Sequence, residues 1–127
     1  MTVSVAQTYS NNMADSLNSD IGNSHKLNLY DSGDTLLATM TYAAATGTVS
    51  TVSGAEAITY SETSYTDDET PASAGTCSYA TIATSADAEV VRFTDPENEL
   101  GLTSTSIQTN QPVRVTTDVV VKLPDST

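Results

Sequence analysis

Apolar residues change their spacing near residue 22, which divides the chain into a helical start and a strand-rich remainder. Before that point they recur every four positions, at Val5, Tyr9, Met13, Leu17 and Ile21. Such spacing places side chains on one face of a helix. It predicts a helix over about residues 5–21 that Gly22 ends. Its polar residues are poor helix formers, so we expect the apolar stripe to pack on the protein's own sheet rather than on a partner protein.

Beyond Gly22 the pattern alternates between apolar and polar positions. Leu27 and Leu29 share one face, the chain breaks at residues 31–34, and alternation resumes through residues 36–42. The break contains Asp and Gly, which favour turns for different physical reasons. This arrangement predicts a β-hairpin.

Further short strands are indicated along the rest of the chain. Residues 43–75 are expected to be loops around two strands, near 48–53 and 57–63. The stretches "TCSYATIAT" and "EVVRFT" predict two more strands, the second closed by a turn at "DPENE".

The last part of the chain has the most regular alternation. "LGLTSTSI" leads to a polar turn at residues 109–111 and then to a strand whose apolar positions alternate up to Leu123 and end at Pro124. Many short strands separated by turns predict a mainly β fold, an antiparallel β-sandwich or jelly roll with one N-terminal α-helix. We expect a single domain over residues 1–127, with the helix at about 5–21 and the sandwich at about 26–124.

Composition narrows the possible partners. The 127 residues include 4 Lys and Arg against 16 Asp and Glu, a net charge of −12. Such a chain repels phosphate backbones and anionic membrane surfaces, so no direct contact with nucleic acid or membrane is expected. The first residues have neither a basic start nor an apolar core, so the sequence predicts no export signal or anchor.

Few side chains could support catalysis or metal binding, and they are scattered along the sequence. Cys77 is the only cysteine and is expected to be a small buried hydrophobe. His25 is expected to be a satisfied surface residue, and Glu56 with Glu62 lacks the cleft that acid–base catalysis needs. Two acidic groupings could bind a hard cation, although solvated turns are the favoured reading: Asp31 with Asp34, and Asp95 with Glu97 and Glu99. We therefore predict no catalytic, cofactor-binding or metal site, and no enzymatic activity.

Tyrosine is the main aromatic residue, and it has two interpretations. Tyrosines on strands could line a sugar-binding face, or they could fill a half-buried sheet, which we favour. The residues concerned are Tyr30, Tyr42, Tyr60, Tyr65 and Tyr79.

Two stretches, "KLNLYDSGDTLLATMTYA" and "LGLTSTSIQTNQPVRVTTDVVVKLP", resemble small virion proteins of tailed bacteriophages. The order of parts is similar: an N-terminal helix, a hairpin, a Thr- and Ala-rich middle, a short strand at residues 90–93 and the C-terminal motif. The chain departs from that pattern at Asn110, where the usual residue is Gly, and in a shortened segment between Phe93 and Leu100.

The resemblance implies a non-enzymatic structural protein of the virion. Combined with the acidity and small size, it suggests a capsid decoration (cement) protein on the phage head, a trimer that binds the major capsid protein. A tail or neck component is the alternative within the same class. A carbohydrate-binding module is the alternative from another class.

Overall fold

The structure, a computed structural model, describes residues 7–44, 46–52, 55–102 and 104–125, and side chains at 12–44, 46–50, 56–102 and 104–123. It confirms a mainly β fold with antiparallel sheets and an N-terminal α-helix. In chain order the elements are α1 (Gln7–Ile21), β1 (Lys26–Tyr30), β2 (Leu36–Tyr42), β3 (Thr48–Val52), β4 (Ala55–Tyr60), a 3-10 turn (Glu62–Ser64), β5 (Tyr65–Thr66), β6 (Gly75–Thr76), β7 (Tyr79–Ala83), β8 (Glu89–Phe93), α2 (Pro96–Glu99), β9 (Ser106–Ile107) and β10 (Val119–Asp125).

The helix α1 forms where the apolar spacing predicts one, but its buried face differs from the predicted stripe. Ala14 and Ile21 are buried, Leu17 is half-buried and Met13 is 44% exposed. Val5 and the side chain of Tyr9 lie outside the described residues. A four-residue spacing drifts by about 40° per step around a helix of 3.6 residues per turn, so one flat surface cannot bury the whole stripe.

Five strands form the larger sheet, in the order β5-β2-β1-β7-β8. The predicted hairpin is confirmed: β1 and β2 pair antiparallel, with Leu27 opposite Met40. On its other side β1 pairs with β7, where Leu27 faces Ile82. All three side chains are fully buried, because alternation sends them to the same inward face.

The smaller sheet has the order β10-β4-β3, and α1 packs against it. Ile58 of β4 pairs with Val49 on one side and with Val121 on the other. Gly47, just before β3, lies so close to the sheet that an added Cβ would come within 2.7 Å of the Tyr60 ring. The helix is tied to this point, since the Asn18 side chain bonds both the backbone N–H and the carbonyl of Gly47.

One continuous core joins both sheets, as in a β-sandwich. At its centre lies a group that we call the His–Tyr cluster: His25, Tyr42, Tyr60 and Tyr65. The His25 ring stacks on Tyr42 with centroids 4.6 Å apart and meets the Tyr60 ring edge at 4.7 Å. Because Tyr42 belongs to β2 and Tyr60 to β4, the cluster connects the two sheets.

The two strands predicted on either side of the turn at residues 109–111 do not pair with each other. Ile107 pairs with Gly75 in a small two-stranded sheet, whereas Val121 pairs with β4. Between them, Val113 makes a single bridge to Asp68. The alternation identified buried positions correctly at Val113, Val115, Val119 and Val121. It could not identify the partner strands, because those partners are distant in the sequence.

Two smaller predictions near turns also need correction. The "DPENE" segment forms the short helix α2, which begins at Pro96, rather than a simple turn. Pro is well suited to a first helical position, where its missing N–H costs nothing. The last strand continues through Pro124 to Asp125, which an edge strand tolerates.

Candidate functional site

The outward face of the five-stranded sheet carries a row of large side chains on neighbouring strands. Tyr30 of β1 is the register partner of Tyr79 of β7 and, on its other side, of Leu36 of β2. Arg92 of β8 extends over the same row. We call Tyr30, Tyr79 and Arg92 the tyrosine ladder.

The ladder is held by ring stacking and charge. Tyr30 and Tyr79 stack with centroids 5.1 Å apart and planes at 13°. The Arg92 guanidinium carbon lies 4.4 Å from the centre of the Tyr79 ring, a cation–π distance. Arg92 in turn donates to Glu89 at 3.0 Å. Tyr79 therefore lies between an aromatic ring and a cation.

The Tyr79 side chain is hydrogen-bonded to a carboxylate at its tip. Its hydroxyl donates to Asp34 Oδ1 at 2.6 Å. This hydrogen bond is the main reason that the pKa of Tyr79 rises to about 12. The phenol is consequently protonated at neutral pH and acts as a donor there.

The hairpin turn places this carboxylate. Asp31 Oδ1 accepts from the backbone N–H groups of Gly33 and Thr35, each at 2.9 Å, which closes the turn. Asp34 follows with φ of 65°, a left-handed conformation that Asp tolerates better than most residues. A register shift between Leu29 and Tyr30 brings Leu36 opposite Tyr30. The ladder and its acidic neighbour thus arise from one irregular hairpin end.

The rest of this face is polar. Asn28 and Thr81 are register partners next to the ladder, and both are buried. Thr39 donates its hydroxyl to Asn28 Oδ1 at 2.7 Å. Farther along β1, Lys26 forms an ion pair with Asp87 at 2.9 Å. This side of the sheet therefore carries fixed polar groups, with the tyrosine ladder at one end.

Basic groups are largely consumed by local ion pairs. Lys26 pairs with Asp87, Arg92 with Glu89 and Arg114 with Asp67. These three pairs involve three of the four basic residues of a chain that has sixteen acidic ones. The surface is therefore left with many more carboxylates than cations.

The predicted cation-binding groupings stabilise their own turns. Asp95 Oδ2 accepts from Asn98, and Glu99 accepts from the backbone N–H of Asp95 at 2.7 Å. Asp31 and Asp34 are engaged as described above. Among the residues whose placement is described, no group of three or more His, Cys, Asp or Glu side chains could hold a metal ion.

The prediction that His25 is a surface residue is wrong. It is fully buried in the His–Tyr cluster, and its Nδ1 lies 3.3 Å from the Gly22 carbonyl oxygen. Because that oxygen only accepts, Nδ1 carries the proton and Nε2 accepts from the Tyr65 hydroxyl at 2.7 Å. Burial lowers the pKa of His25 below its ordinary value.

The structure also shows the environment of the other residues that the sequence analysis considered. Cys77 is buried as predicted, and burial raises the pKa of its thiol to about 11. Glu56 is buried on β4, whereas Glu62 begins the 3-10 turn and donates its backbone N–H to Asp118. The tyrosines whose side chains are described divide into buried Tyr42, Tyr60 and Tyr65 and half-buried Tyr30 and Tyr79.

Arg114 contributes to the lining of two surface depressions. One, of about 390 Å³, lies beside β5, and Arg114 and Asp67 contribute to its lining. The other, of about 60 Å³, is lined by residues of the 102–114 segment and is far below the size of a typical ligand pocket. Since Asp67 Oδ2 accepts two hydrogen bonds from Arg114, the larger depression is bordered by a formed ion pair.

Sequence patterns missed Arg92 and the pairing of the two ladder tyrosines. Each residue was assigned to a strand, but their contact depends on β1 pairing with β7, which is remote in the chain. The available signal was the isolated arginine within "EVVRFT", on a chain with so few cations.

No protein-family model, curated protein or solved structure matches the chain. Within the described residues, no helix has the length and apolar character needed to cross a bilayer.

Proposed function

We propose that this protein is a non-enzymatic structural protein of a tailed-bacteriophage virion, a capsid decoration (cement) protein on the phage head. The observation that carries the proposal is the tyrosine ladder on the outward face of the five-stranded sheet. Tyr and Arg are enriched at protein–protein contacts. The resemblance of the hairpin and C-terminal motifs to virion proteins supports the phage setting.

The charge of the face indicates which side chains a partner would present to it. Glu89 and Asp87 are themselves paired with Arg92 and Lys26, which leaves Asp34, bonded to the Tyr79 hydroxyl, as the ladder carboxylate outside the described ion pairs. A docking surface on the major capsid protein would therefore supply a Lys or Arg side chain to Asp34. Many copies would reinforce the shell through the sum of individually modest contacts.

A carbohydrate-binding module is the second candidate, because Tyr30 and Tyr79 are partly exposed on a sheet face. Sugars pack on open ring faces, however, and Tyr79 is covered by Tyr30 and Arg92. The buried Tyr42, Tyr60 and Tyr65 cannot take part. A glycan array with the purified protein tests this candidate, and specific binding there would favour it over decoration.

The decoration proposal is tested on particles. We expect the protein on purified heads at a copy number comparable to that of the major capsid protein, and heads without it should rupture at lower temperature. Immunogold label confined to the tail would overturn the head assignment and favour a tail or neck component. Heads that keep full heat resistance after its removal would also contradict the proposal.

The docking face is tested by rebinding the protein to stripped heads. Tyr30→Ala removes the ring that stacks on Tyr79 and should reduce the number of copies bound at a given concentration at least tenfold. Val120→Ala is the matched control, because Val120 is a 37% exposed apolar residue on β10 of the other sheet. Equal binding of both variants would show that the ladder is not the docking face.

A further inference from the structure

The outer strands of the two larger sheets differ in how they are protected from pairing with another chain. The edge strand β8 carries Glu89 and Arg92, and β10 carries Lys122 and Pro124. β5 has only two residues and leads directly to Asp67 and Asp68. Charges, prolines and short length are the usual devices that keep a sheet edge from adding strands.

β3 has none of these devices. It is a five-residue edge strand with the sequence TVSTV, and among the described strands it pairs with β4 alone. In the described part of the chain, no backbone hydrogen bond joins residues 48–52 to anything other than β4. Alternate N–H and C=O groups of an edge strand point away from its sheet, where another strand can pair with them.

The surrounding sequence is also uncharged. Residues 35–55 contain no Asp, Glu, Lys, Arg or His, although the chain as a whole carries a net charge of −12. Two copies of so acidic a protein repel each other over most of their surface. The β3 strand itself adds no charge to this repulsion.

We propose that β3 pairs with β3 of a second copy of this chain, antiparallel about a two-fold axis at Ser50. The register places Ser50 opposite Ser50, Val49 opposite Thr51 and Thr48 opposite Val52. The two three-stranded sheets become one six-stranded sheet, β10-β4-β3 followed by the same strands of the second copy in reverse order. A two-fold contact of this kind is closed, so it stops at two copies.

This contact is independent of the proposed virion function and differs from the trimer that the sequence suggested. A single pair of short strands buries less surface than the roughly 1,000 Å² of a stable interface, so the dimer is weak in dilute solution. It becomes significant where copies are concentrated on a common support.

Cysteine cross-linking tests both the contact and its register. Ser50 and Thr48 are both exposed, and Cys77 is buried, so a new cysteine at either position is the accessible thiol. Across the axis, two Ser50 positions are directly paired, within the Cα separation that a disulfide allows. Two Thr48 positions are about 14 Å apart, which a disulfide cannot span.

Under mild oxidation of the purified full chain, we expect Ser50→Cys to form covalent dimers at least tenfold faster than Thr48→Cys. Equal rates for the two variants would overturn the register, and no dimer from either at high concentration would overturn the contact. Higher oligomers or fibres in place of dimers would contradict the closed two-fold pair.

A charge variant gives a second readout by sedimentation. Ser50→Lys reduces the magnitude of the negative net charge, which by itself favours association, but it places two like charges opposite each other at the axis. We expect it to shift the dimer to monomer at concentrations at which the wild type associates. Val120→Lys adds the same charge to the opposite edge of the same sheet and should leave association unchanged. Loss of association in both variants, or in neither, would overturn the proposal.

Discussion

The aromatic residues form two groups that have similar ring contacts but different roles. The His–Tyr cluster lies between the two sheets, and its members are almost completely buried. The tyrosine ladder lies on the outer face, where its rings are half-buried and its arginine is exposed. Both groups stack rings about 5 Å apart, but only the ladder leaves aromatic edges and charge available to a partner.

The difference shows in the hydrogen bonds as well. In the cluster, Tyr65 donates to a histidine nitrogen that has no access to water. In the ladder, Tyr79 donates to a carboxylate that water can also reach. Losing a buried hydrogen bond leaves a desolvated polar atom without a partner, whereas a surface group exchanges its partner for water. Stability should therefore depend on the cluster, and recognition on the ladder.

Truncating one ring from each group should give the largest contrast. Tyr60 is fully buried and contacts His25 and Tyr42, so Tyr60→Ala should lower the free energy of unfolding by about 3–5 kcal/mol. Tyr30→Ala in the ladder should cost about 1.5 kcal/mol or less, because the ring is only half-buried. Urea unfolding of both variants measures the difference. Similar losses would show that the ladder is also part of the structural core.

Removing one hydroxyl from each group tests the hydrogen bonds separately from the rings. Tyr65→Phe leaves His25 Nε2 buried without a donor and should cost about 1–3 kcal/mol in unfolding free energy. The matched variant Tyr79→Phe should change stability by no more than about 0.5 kcal/mol, since its partner Asp34 is exposed. A larger loss for Tyr79→Phe would reverse the proposed division of roles.

The contrast also explains what the sequence could predict. The β1–β2 hairpin was predictable because its strands are adjacent and its turn has a local signal in Asp31 and Gly33. The cluster was not, because His25 is buried through contacts with Tyr60 and Tyr65, which lie on other elements. The ladder was not predictable for the same reason, since Tyr30 contacts Tyr79 only because β1 pairs with β7. Local alternation identifies buried faces, but it does not identify the neighbour across the sheet.

Acidification should weaken the cluster and leave the ladder unaffected. Burial lowers the pKa of His25 below its ordinary value of 6.5, so the unfolded chain binds the proton more readily than the folded one. Stability is therefore complete above about pH 6.5 and falls below it, by at most about 1.4 kcal/mol per pH unit. Urea unfolding between about pH 7.5 and 5.5 avoids most carboxylate titration.

The control for this titration is His25→Gln, which can still donate to Gly22 and accept from Tyr65 but cannot be protonated in this range. Its stability should be nearly constant over the same pH interval. If the wild type and the variant lose stability in parallel, the pH dependence belongs to other groups and the buried histidine does not cause it.

The smallest effect is expected at the tip of the ladder, and it concerns ionisation rather than folding. The pKa of Tyr79 is raised to about 12 chiefly by its hydrogen bond to Asp34. Asp34→Asn removes the negative charge, so the pKa should fall towards the ordinary value of 10. Tyr79 ring shifts in NMR spectra at about pH 11 should then indicate a mostly ionised phenol in the variant and a mostly protonated one in the wild type.

The control is Asp87→Asn, which removes the same charge beside Lys26 and should leave the pKa of Tyr79 unchanged. A Tyr79 that titrates alike in all three proteins would mean that Asp34 does not hold its hydroxyl, and the ladder would lose the acidic contact that links it to a basic partner.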